Sequence, residues 1–162
     1  MPNTASQIAD LLERIARDAM AQLENITPDD LNHTLALPES NTLFALATHL
    51  VSSGEYWTLV RVGKREIARD RSADFYAAGC VDDLLARYKR WIQSVHELLD
   101  TFPDERLNEP IEPMVSHSAI KSSTYNIREA LLHAVEHSAL HLGHIQLTRQ
   151  FLGYAPPADW KD

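Results

Sequence analysis

Residues 133–144 read "HAVEHSALHLGH" and hold four of the chain's eight histidines. On an α-helix each residue turns the side chain by about 100°, so His133, His137, His141 and His144 fall within roughly 80° of arc. The same face carries Ala130, Ala134, Leu140, Thr148 and Phe151, residues of core type, so the row is expected to point into the protein. A buried imidazole needs hydrogen-bond partners or a metal to offset lost hydration. Several protonated imidazoles on one face would also repel each other. The row is therefore expected to be neutral, the form that binds metals.

Working outward, Asn126 and Glu129 have capping-box spacing, Leu152 ends the helix, and Gly153 follows it. Three more helical segments are expected upstream. One spans about 3–24, with Ile8, Leu11, Leu12, Ile15, Ala19 and Leu23 as its stripe, and stops at Asn25 and Thr27-Pro28. The next starts at Ser40 or Asn41 and runs to Val62, with Gly63 as its C-terminal cap. The third covers about 81–101, with Leu84, Tyr88, Ile92, Val95 and Leu99 as its seam. "KREIARDRSADFYAAG", residues 64–79, reads as a charged loop with at most a helical turn, and 103–125 as a lid or pocket wall. No alternating, strand-like run appears. The fold class is all-α, a four-helix bundle, as one domain over 1–162; such bundles build metal and cofactor sites between facing helices.

Composition bounds the partners. A net charge of −8, with lysines and arginines scattered, disfavours nucleic acid and anionic membrane surfaces. No apolar run is long enough to span a bilayer, and the N-terminus does not read as a secretory signal. The single Cys80 excludes an internal disulfide, which suits a cytoplasmic protein, and nothing beside it in sequence would activate it as a nucleophile.

Histidines at i and i+4 can reach one cation, but H-x-x-x-H is a weak motif without a third ligand from another helix. His49 is the best candidate, because Leu46, Leu50, Ser53, Tyr56 and Val60 share its side of the second helix. His133 and His144 are expected to be pocket lining or outer groups. His33 and His117 lie in connectors, and His96 flanks the third helix's seam. Tyr56 and Trp57 are candidate pocket walls. Glu136 sits on the flank of the row, better placed for an ion pair than for a general base. H-E-x-x-H, paired Glu-x-x-His, zinc-finger cysteines and phosphate loops are all absent.

"THLVSSGEYW" and "LLHAVEHSALHLGHIQLTRQFLG" together resemble the DinB-like superfamily, some of whose members are metal-dependent thiol transferases. His137, His141, Gly143, Ile145, Arg149 and Gly153 match the family's closing-helix pattern. His144 stands where glutamine is frequent, and Leu142 where arginine is. The resemblance implies an up-down-down-up bundle, usually dimeric, holding a divalent ion, zinc or nickel, on His49, His137 and His141. His144 then becomes a possible fourth ligand or proton-transfer group.

Three histidine ligands leave a coordination position open, as in catalytic sites. The resemblance implies a low-molecular-weight thiol as cosubstrate, transferred to a small electrophile. Metal-activated water, making the protein a hydrolase, is the second reading, and a non-enzymatic metal-binding or interaction bundle the third. Leu131, Val135 and Leu142 make the back of the last helix apolar as well. Either a second subunit, as in a homodimer, or the chain's own N-terminal segment or long loop would cover it.

Overall fold

The long helices start where the sequence offers caps. In the computed structural model, which describes residues 3–111 and 125–158, the Asn3 side chain accepts from the Ser6 amide and opens α1 (Thr4–Ala21). A single turn, α2 (Pro28–Leu31), follows, and then α3 (Leu43–Glu55). The cap of α3 is Thr42, accepting from the Ala45 amide at 3.0 Å, rather than Ser40 or Asn41. Ser40 is spent elsewhere: its hydroxyl donates to the Leu35 carbonyl at 2.8 Å.

From Tyr56 to Val62 the chain continues α3 as a π-helix. The wider winding lets the Gly63 amide still reach the Thr58 carbonyl at 2.9 Å, so Gly63 stays right-handed and Lys64 takes the positive φ of 56°. The expected glycine cap is thus displaced by one residue. One turn within the charged loop forms α4 (Arg71–Asp74), and α5 (Val81–Leu99) and α6 (Ile127–Phe151) complete the frame. The Asn126–Glu129 capping box is formed, and Gly153, at φ 86°, turns the chain away. Of the 103–125 connector, residues 104–108 make a short 3₁₀ turn; residues 112–124, including His117, lie outside the described residues. Among the described residues no helix is long and apolar enough to cross a membrane.

Named contacts give the topology. Asn3, at the start of α1, donates to the carbonyl of Phe102 beyond the end of α5, so these helices are antiparallel. Arg149, near the end of α6, reaches the carbonyls of Gln22 and Glu24 just past α1, so α1 and α6 are parallel. Tyr88 meets Ala47 and Trp91 meets Thr58, which runs α5 parallel to α3. His49 faces His137 and His141 while Trp57 faces His133, which runs α3 antiparallel to α6. The molecule is an up-down-down-up four-helix bundle with no strand among its described residues.

The α5 seam is buried as its spacing predicts, with Trp91 added to it. On α6 the picture differs. Ala130, Ala134 and Thr148 are buried, but Leu140 and Phe151 are 57% and 65% exposed. The reason is that α6 packs on α1 and α3 together. Its buried arc centres between them, on Ile127, Ala134, Ser138 and Ile145, and the histidine row lies at the α3 edge of that arc. Leu131 and Leu142, on the back, are buried within the chain's own hydrophobic core, and Val135 is half-buried.

Candidate metal centre

His49 sits mid-way along α3 and is 2% exposed; His137 and His141 are half-buried on consecutive turns of α6. Because the two helices run antiparallel in contact, the three rings meet, with centroids 5.3 Å (His49–His137), 4.6 Å (His49–His141) and 4.4 Å (His137–His141) apart. Each ring offers one nitrogen to a group that lies within 4.8 Å of one another. Three imidazoles so placed could hold a metal ion.

The electrostatics suit a cation-binding group of neutral rings. Burial, reinforced by His49 and His133, pushes His137 down to about 4, and burial, reinforced by His137 and His49, pushes His141 down to about 3. His49 is also lowered, burial outweighing the opposing pull of Asp74. The buried Nδ1 atoms of His137 and His141 have no hydrogen-bond partner among the described residues. Unpartnered buried nitrogens are costly, and a coordinated cation removes that cost. The donor set therefore fits a divalent ion that accepts nitrogen ligands.

The row extends past the group of three without joining it. At one end His133 packs edge-on against Trp57 at 4.5 Å, with Tyr125 at 6.1 Å, and lies 5.7 Å from His137. Glu136 is out in solvent, 3.9 Å from the His133 ring. At the other end His144 is exposed and meets His141 edge-on at 5.4 Å. It borders a cavity of about 260 Å³, one helical turn below His49, lined by Leu35, Leu37, Leu46, Leu147 and Phe151. Tyr56 turns from the row and lies under the Arg69 guanidinium at 5.2 Å. His96 is far from it on α5, held by Glu13 and Asp100, each at 3.1 Å. Asp10, Glu13 and His96 form a second close group, but both His96 nitrogens are already engaged there. Cys80 is an exposed thiol at the start of α5, bonded to Asp83.

Two residues at the site escaped the sequence reading. Asp74, buried in α4, meets His49 Nδ1 at 3.1 Å, and Phe75 stacks on the His49 ring at 4.6 Å. Both come from the stretch read as a charged loop. The local signal was only a capped turn, since Asp70 accepts from the Ser72 and Ala73 amides. No helical spacing relates residue 74 to residue 49 across a loop.

The fold and the histidine group define a helical bundle with a candidate metal centre between α3 and α6. The sequence profile of the DinB superfamily matches residues 11–145, and the chain belongs to that superfamily. No curated protein matches the chain. Among solved structures it is similar to YfiT from Bacillus subtilis, described as a probable metal-dependent hydrolase with an unusual four-helix bundle topology. That pair is 17% identical, covers 96% of this chain and 94% of the other, and has a TM-score of 0.69. A DinB-like protein from Bacillus cereus is 14% identical over 99% of this chain and 100% of that one, with a TM-score of 0.72. The DinB-like protein YjoA from Bacillus subtilis is 18% identical, covering 96% and 98%, with a TM-score of 0.68.

Proposed function

We propose that this protein binds a divalent metal ion through His49, His137 and His141 and uses it to activate a nucleophile against a small molecule. The observation that carries the reading is the convergence of three neutral imidazoles, two with unpartnered buried nitrogens, from two facing helices. A bound ion would supply Lewis acidity, lowering the pKa of a coordinated thiol or water toward neutrality. The chain's own contribution is to hold three uncharged donors, which leave the ion's charge undiminished, and to wall the site with Phe75, stacked on His49. Zinc and nickel both suit imidazole donors.

A low-molecular-weight thiol is the nucleophile favoured by the superfamily resemblance; water is the one favoured by the likeness to YfiT. Elemental analysis of tag-free protein tests the site first. About one equivalent of metal is expected in the wild type and little in His49→Ala or His137→Ala; full metal in both variants would sink the assignment. Turnover of a chloro-nitroaromatic that requires added thiol then marks a transferase, whereas thiol-independent cleavage of a small amide or ester marks a hydrolase. Metal without either activity favours a binding module.

We also propose a homodimer, but through a different face from the back of α6, which is buried within the chain's own core. Leu140, Leu147 and Phe151, each more than half exposed, form an apolar patch beside the histidine row. Light scattering on wild type and Leu140→Glu tests it, and an unchanged monomeric mass in both would exclude it.

A further inference from the structure

We infer that Asp74 is the positioning residue of the site: it fixes the tautomer and orientation of His49, while Arg69 holds Asp74 in place. The inference deepens the metal-site reading proposed above, but its first half is testable without any metal.

The argument starts from the contacts that hold the His49 ring. Its Nδ1 lies 3.1 Å from Asp74 Oδ2, and both side chains are nearly inaccessible, at 2% and 8% exposure. A neutral imidazole carries one N–H and one lone pair, and a buried carboxylate requires the N–H. The opposite tautomer would aim a lone pair at an oxyanion with no water to intervene. Asp74 therefore makes Nδ1 the donor and leaves the Nε2 lone pair as the nitrogen His49 can share with His137 and His141. Phe75, the next residue, stacks on the ring at an interplanar angle of 29°, so the edge and a face of the imidazole are held by one short segment. Arg71 lies over the Phe75 ring at 5.8 Å and backs it from outside.

Asp74 is itself held. Arg69 reaches the same Oδ2 at 3.3 Å, and its Nε donates to Ser52 Oγ at 2.9 Å. Ser52 is one turn beyond His49 on α3, so the chain of contacts returns to the helix it started from. The guanidinium balances a buried carboxylate that would otherwise be costly. Asp74 meets the Nδ1 edge of the ring, opposite Nε2, and does not belong to the group of three that could hold an ion, so the donors remain three neutral nitrogens. Outer partners of metal-bound imidazoles typically contribute about 10–100-fold in metal affinity.

The test has two readouts. In metal-free protein, two-bond ¹H–¹⁵N correlation spectra report the tautomer of each histidine. His49 is expected as the Nδ1–H form in the wild type and to shift toward Nε2–H in Asp74→Ala. Titration with cobalt(II), followed by its visible absorption, is expected to show about 10–100-fold weaker binding in Asp74→Ala and a smaller loss in Asp74→Asn, which keeps the shape and a neutral acceptor. Arg69→Met, which removes the anchor of Asp74 but not its carboxylate, is expected to weaken cobalt binding by less than Asp74→Ala does. Circular dichroism guards against misfolding, and Asp74→Asn replaces the alanine variant if that fails to fold. A wild-type His49 in the Nε2–H form overturns the inference, as does an Asp74→Ala protein with unchanged tautomer and unchanged cobalt affinity. An Arg69→Met protein with wild-type cobalt affinity overturns its second half. A wild type that takes no cobalt, yet shows the Asp74-dependent tautomer, sinks the metal-site reading and leaves the positioning role standing.

Discussion

At the scale of single residues, Gly54 shows how a missing side chain can set the distance between two helices. A Cβ there would sit 2.2 Å from the Trp91 ring, which is 1% exposed and whose indole N–H donates to Thr58 at 3.1 Å. Gly54→Ala gains about 1 kcal/mol of helix propensity but forces an aromatic ring out of a bonded position, an overpacking cost of about 1–3 kcal/mol. Overpacking should win, so a lower urea midpoint is expected, and a gain in stability would show that α3 and α5 can separate freely. The same scale explains what could be read of the site. His49, His137 and His141 were legible because each lies on a helix, where spacing fixes direction. Asp74 and Phe75 were not, because a turn in a connector carries no period, and their meeting with His49 depends on how 64–79 folds back over α3. Leu140 and Phe151 face outward against their spacing for a related reason: periodicity gives relative angles on a helix, not where its neighbours stand.

At the scale of elements, α6 combines a strong start, an anchored end and a poorly defined apolar face. Its start is the capping box, in which the Glu129 amide donates to the Asn126 side chain and the Asn126 amide to the Glu129 carboxylate, both at 2.8 Å. Asn126→Ala is expected to lower stability by about 1 kcal/mol, read from chemical denaturation. Its end is Arg149, buried and donating to the carbonyls of Gln22, Glu24 and Ala155 at 2.6, 2.9 and 2.8 Å. Arg149→Met would leave those carbonyls short of a charged donor, and a loss of about 1.5–3 kcal/mol is expected. A loss no larger than that of a surface substitution would mean that water replaces the guanidinium. Both ends of α6 were plain in the sequence, as were the four long helices, because caps and stripes are local. The π-helical continuation of α3 was not, since its residues keep an ordinary helical pattern and the wider winding is settled by packing against α6 and α5.

At the scale of the whole molecule, the bundle is a ring of four helices in which the α1–α5 seam lies apart from the histidine row. Here His96 bridges the two helices, its Nε2 meeting Glu13 on α1 and its Nδ1 meeting Asp100 just beyond the end of α5. Burial alone would lower its pKa, but hydrogen bonds and charge attraction from Asp100 and Glu13 outweigh that and raise it. A folded pKa above the unfolded one means that the folded state binds the proton more tightly. The resulting stabilisation is fully present below the unfolded pKa, near 6.5, and is lost as pH rises through the folded value. Because the side chain is partly exposed, at 26%, its size should be that of a surface pair, about 1 kcal/mol or less. Comparing thermal midpoints of wild type and His96→Gln across pH isolates this contribution from the row on α6, which both proteins share. The wild type is expected to melt higher by the widest margin near pH 5.5, with the margin shrinking steadily toward pH 9. A margin that is flat, or that grows with pH, would show that His96 joins α1 to α5 as a neutral hydrogen-bonding group rather than as a cation between two carboxylates.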